Sequence, residues 1–139
     1  MVQSWGVERQ KNQYLSLAGT LVNCSGGKTP WNTWISCEEI VTNKGIGLTK
    51  NHGYNFEVIP SLEPHLTKAV PLKDMGRFRH EGVAFDKENG YVYQTEDRSD
   101  SLFYRFIPKV KEKLSTFMVL RQKVTHYYSF VWVFVRVYL

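Results

Sequence analysis

Residues 81–107 read EGVAFD, KENG, YVYQTED, RSD and SLFYRFI, three strand-like runs separated by turns of three or four residues. Asn89-Gly90 and Ser99-Asp100 supply the turn chemistry: Gly and Asn accept left-handed backbone, while Ser and Asp bond their own chain. Aromatic and β-branched residues fill the runs, as a pleated, half-buried surface selects. The stretch predicts an antiparallel meander, and short strands at this spacing point to a sandwich, barrel or propeller. No strict internal repeat chooses among the three.

Toward the N-terminus the same reading continues. Residues 54–59 (YNFEVI) alternate Tyr54, Phe56 and Val58 against Asn55 and Glu57, the period of a strand. Trp31–Cys37 (WNTWISC) and Tyr14–Val22 (YLSLAGTLV) are further strand candidates, the latter interrupted by Gly19. Residues 24–30 (CSGGKTP) predict a loop, because Gly-Gly and Thr-Pro resist regular structure. Residues 43–53 form a polar, glycine-bearing connection, and Pro60, Pro64 and Pro71 keep any helix in 60–76 short. The fold class expected is all-β, antiparallel sheets with long loops and little helix.

Toward the C-terminus the composition changes. All ten glycines lie at or before Gly90 and all five prolines at or before Pro108. Residues 1–108 hold 12 Lys and Arg against 12 Asp and Glu, whereas residues 109–139 hold 6 against Glu112 alone, so the net charge of +5 belongs to the tail. A face built for phosphate backbones would spread its cations over the folded part, so nucleic acid is not an expected partner. Residues 126–139 (HYYSFVWVFVRVYL) contain one charge, Arg136, and have no polar face. These features divide the chain into residues 1–114 and an apolar, basic tail at 115–139, expected to be translation in a shifted frame. With no run of about 18 apolar residues a spanning helix is excluded. The first residues carry no apolar export segment, so the expected location of the chain as it stands is cytoplasmic or unknown.

Two clusters offer chemistry. Cys24 precedes a Gly-Gly turn, and Cys37 is followed at once by Glu38 and Glu39 at the end of an apolar strand. Adjacent residues on a strand face opposite sides, so one Glu of the pair can enter a central site. The two cysteines, read alone, are buried thiols or a disulfide, and their spacing does not match a structural zinc pair. The second cluster is Gly76–Gly82 (GRFRHEG), where arginine suits phosphate, Glu81 suits hard cations, and His80 suits proton transfer. Glu96-Asp97-Arg98 reads in isolation as a charged turn, and His52, His65 and His126 have no evident partner. Nucleotide-binding loops, nucleophile elbows and HExxH are absent, which removes those enzyme classes.

Taken together these residues resemble a family. Residues 23–39 (NCSGGKTPWNTWISCEE) resemble the NCxGGxTPWxTWxxCEE signature of the PhoX-type bacterial alkaline phosphatases. HGYNFEV (52–58), GRFRHE (76–81) and the stretch from Thr95 to Phe106 are similar to three further motifs of that family, in order. The resemblance covers residues 16–108, extending to 114. It implies about two blades of a β-propeller from a periplasmic or extracellular enzyme that hydrolyses phosphate monoesters with iron and calcium. By the same resemblance Cys24 is a thiolate for iron, and Glu39 and Glu81 are carboxylates of the cluster with Glu38 beside them. Arg79 and Arg98 are candidates for phosphate binding and His80 for proton transfer. The chain is short for the family, so the expectation is a fragment with an incomplete site, inactive alone and able to self-associate through open sheet edges. The alternatives are a small calcium-binding or interaction module without catalysis, and the product of a disrupted gene.

Overall fold

The computed structural model describes residues 13–110 and 113–120, the last strand as backbone only. Among the described residues the regular structure is seven strands and one 3₁₀ turn: β1 (Asn23–Lys28), β2 (Trp34–Glu38), β3 (Asn55–Val58), the turn Lys73–Met75, β4 (His80–Asp86), β5 (Tyr91–Glu96), β6 (Phe103–Val110) and β7 (Lys113–Leu120). They form a three-stranded sheet in the order β1-β2-β3 and a four-stranded sheet in the order β4-β5-β6-β7. Every pairing is antiparallel. The chain is all-β, and two successive meanders are compatible with consecutive propeller blades. No helix among the described residues is long and apolar enough to cross a membrane.

The meander of residues 81–107 forms as its turn chemistry predicts. The strand expected at 54–59 forms over Asn55–Val58. Two expectations are corrected. The segment 14–22 makes no ladder: its backbone meets other backbone at the Leu17–Thr67 bridge and at the Val22 carbonyl, and its run ends at Val22, whose φ of +46° no extended strand accepts. Residues 24–30, expected as a loop, instead supply most of β1. The two glycines are tolerated there because neighbouring backbone fills their side-chain space: a Cβ on Gly26 would stand 1.9 Å from the Ile35 carbonyl oxygen. β7 crosses the composition break near residues 109–115, while the apolar run 126–139 lies outside the described residues.

The core lies between the sheets. Ile35 and Cys37 of β2 meet Val83, Val92 and Phe106 of the second sheet, with Leu72 and Met75 packed beside them. Burying side chains of this size contributes roughly 1.5–3 kcal/mol each. A polar link runs alongside: Asn55 donates from Nδ2 to Gln94 Oε1 at 2.7 Å, and Gln94 Nε2 donates to the Met75 carbonyl at 3.0 Å. This packing sets β1 against β4 and brings three distant stretches of sequence to one edge.

Candidate metal centre

Strand alternation sorts the end of β2. Ile35, Cys37 and Glu39 follow one face toward β4, and Trp34, Ser36 and Glu38 follow the other. Glu38 is fully buried on its side. Its carboxylate receives the backbone N–H groups of Leu21 (2.9 Å), Gly53 (2.6 Å) and Tyr54 (3.1 Å) and faces His52 Nδ1 at 2.7 Å. A buried carboxylate is tolerated only with such a set of donors. Glu38, expected among the metal-binding residues with Cys24, Glu39 and Glu81, points away from that group and fastens the loops around residues 21 and 53 to β2. His52, without a partner on sequence, is that partner.

Glu39 stands on the other side. Its N–H donates to the carbonyl of Val22 at 2.9 Å, which ties the approach to β1 against the end of β2. Here the ligand atoms of Cys24, Glu39 and Glu81 all lie within 4.8 Å of one another, with Cys24 Sγ 3.8 Å from Glu81 Oε1. Cys24 comes from β1, Glu39 from the end of β2 and Glu81 from β4, a separation of up to 57 residues in the chain. Cys24 is exposed and both carboxylates are half-buried.

The electrostatics are one-sided. A hydrogen bond to Glu39, with the charges of Glu39 and Glu81 added, pushes the Cys24 thiol up to about 11. Glu39 is itself held above the usual carboxylate range, chiefly by a hydrogen bond shared with Asp97. Asp97 is thus a third carboxylate of the cluster, one that sequence reasoning set aside as part of a charged turn. Its position in the TED run beside a strand end was the available signal. Among the described residues no Lys or Arg forms an ion pair with Glu39, Glu81 or Asp97. Carboxylates that crowd a thiol without a counter-charge suit a bound cation, which would stabilise all of them in their charged forms.

The remaining candidates sit around this cluster. Arg79 is exposed, and its carbonyl accepts the N–H of Asp97 at 3.1 Å. Arg98 is exposed and donates from Nε to Asp100 Oδ1 at 3.1 Å. His80 is fully buried, its ring tilted against that of Phe78 with centroids 3.7 Å apart, and its Nε2 lies 3.3 Å from the Gly76 carbonyl. Burial pushes its imidazole down to about 4. It stands in the interior, without the solvent access that proton exchange with a substrate requires. Arg77, in the same motif, fastens loops: it donates to the carbonyls of His52 and Thr42 and to Asn43 Oδ1.

The convergence of the quoted motifs on one cluster has a counterpart in the comparison with known families. The profile described as alkaline phosphatase PhoX matches residues 4–122. The chain belongs to the PhoX family. The match reaches past residue 114 and takes in the whole of β7, so PhoX character extends beyond the break read from composition. No curated protein and no solved structure matches the chain. Membership relates it to phosphatases.

Proposed function

We propose that Cys24, Glu39 and Glu81, with Asp97 beside them, form part of the metal centre of a phosphatase acting on phosphate monoesters. The observation that carries this reading is the triad itself, one thiol and two carboxylates gathered within 4.8 Å from three separate segments. The donor set suits two kinds of cation: a soft thiolate with carboxylates favours iron, and carboxylates alone favour calcium. When bound, such cations polarise phosphoryl oxygens and offset the charge that develops in transfer. The chain's own residues would hold the cations, with Cys24 losing its proton on binding, and keep the carboxylates at fixed separation through β2 and β4. Arg79, whose carbonyl accepts the Asp97 N–H, and Arg98, next to Asp97 in sequence, would meet the anionic end of a substrate.

Turnover by this chain alone is expected to be weak, because a centre with an exposed thiol excludes little water, and transition-state charge is best stabilised in a water-poor site. The same exposure favours a second reading, a cation-binding module without catalysis. Titration of the full chain with iron(II) and calcium, followed by assay on p-nitrophenyl phosphate, separates the two. Saturable binding lost in Cys24→Ala and Glu81→Gln supports a metal centre, and turnover lost in the same variants makes it a phosphatase. Binding that survives both substitutions would sink the proposal.

A further inference from the structure

The two cysteines are neighbours across a ladder. Asn23 pairs with Glu38 and Gly26 with Ser36, so in the bulge between these two pairs Cys24 and Ser25 together stand opposite Cys37. Cys24 and Cys37 each adjoin the Asn23–Glu38 pair, and opposed residues of a regular antiparallel pair have Cα atoms roughly 4.5–5.5 Å apart, within the range of about 4.4–6.8 Å that a disulfide spans. Cys37 shares the face of Glu39, and Glu39 hydrogen-bonds Cys24, so both sulfurs are on the side that faces β4. The pair is asymmetric in access: Cys24 is exposed and Cys37 has no exposed surface, and both are free thiols.

We propose that Cys24 and Cys37 close a reversible cross-strand disulfide, and that this bond withdraws the Cys24 sulfur from the acidic cluster. The exposed thiol meets the oxidant, a small disulfide such as oxidised glutathione. The Cys24 sulfur, having lost its proton, attacks one glutathione sulfur and expels the other glutathione as a thiolate, leaving a mixed disulfide on Cys24. Cys37 then attacks the Cys24 sulfur and expels the second glutathione, whose sulfur takes up the Cys37 proton as it leaves. Two protein thiols are oxidised by two electrons, and one glutathione disulfide is reduced to two thiols. Burial stops Cys37 from meeting the reagent first but not from resolving the bond, since Cys24 lies opposite it in the bulge. The consequence for cation binding rests on the reading of the triad as a metal centre. The bond itself does not.

The full chain, folded and reduced, is treated with oxidised glutathione, then mapped by mass spectrometry without reduction. The expected product has lost two hydrogens and links the Cys24 peptide to the Cys37 peptide within one chain, and dithiothreitol reverses it. In Cys37→Ser the mixed disulfide with glutathione is expected to persist on Cys24. Two free thiols after oxidation, or links only between chains, would overturn the proposal. Cobalt(II) serves as the metal probe: its thiolate charge-transfer absorbance is expected in the reduced chain and lost in the oxidised one. A disulfide that forms in a chain whose reduced form shows no such band would sink the metal reading and leave the disulfide standing. A band that survives oxidation of Cys24 would overturn the withdrawal of its sulfur.

Discussion

Gly27 and Val83 meet backbone to side-chain space: a Cβ on Gly27 would stand 1.9 Å from the Val83 carbonyl oxygen. This is where β1 seats on β4, and it sets the distance across which Cys24 and Glu81 face each other. Gly27→Ala therefore has to push the two sheets apart. Overpacking of this kind costs about 1–3 kcal/mol. The expected result is a lower urea midpoint together with weakened cation binding, while Gly45→Ala, with open space around it, leaves both unchanged. An unaltered midpoint in Gly27→Ala would show that the sheets do not rest on this contact.

Glu38 and Glu39 are neighbours in sequence with opposite tasks. In Glu38→Gln an amide replaces an acceptor that receives three backbone N–H groups, and its own N–H₂ faces donors. Breaking a buried, hydrogen-bonded carboxylate arrangement costs roughly 3–5 kcal/mol. The chain is expected to lose stability in chemical denaturation before any loss specific to cation binding is seen.

Glu39→Gln has the reverse signature. The substitution removes one of the carboxylates that press on Cys24 and Asp97, so the metal-free fold is expected to be as stable as the parent. Affinity for calcium or iron, read by calorimetry, is expected to fall at least about tenfold, the order seen when a group supporting a metal site is removed. Asp97→Asn is expected to weaken binding in the same direction. Equal affinity in both variants would place the cation elsewhere.

His80 ties stability to pH. Its folded value is pushed from the ordinary 6.5 down to about 4 by burial, against an opposing pull from hydrogen bonds and the charge of Glu38. As pH falls below about 6.5 the unfolded chain takes up a proton that the folded chain refuses. The contribution is complete above that point, and it is lost as pH drops toward 4. A shift of this size corresponds to on the order of 3 kcal/mol. An NMR titration of the folded, metal-free chain should show one imidazole still neutral at pH 5, and none staying neutral there would refute the assignment.

The sequence by itself determined which chemistry is present and most of the strand pattern. Period-two alternation at Tyr54–Val58 and the Asn-Gly turn before Tyr91 act over a few residues, so they are legible locally. The motifs around Cys24, Glu39 and Glu81 were readable for the same reason, as was family membership. What only the tertiary structure decided depends on contacts between distant segments. Residues 24–28 look like a loop because two glycines oppose a strand. They pair as β1 because the backbones of β2 and β4 occupy the space where side chains would be. Glu38 and Glu39 are alike on paper, and they part because strand alternation turns one toward His52 and the backbone N–H groups of Gly53 and Tyr54, and the other toward β4. Asp97 reads as part of a turn until packing sets it against Glu39, 58 residues away along the chain. Local propensity is written in neighbouring residues, whereas a site made by two packed sheets exists only once burial of Ile35, Val83, Val92 and Phe106 has drawn those sheets together.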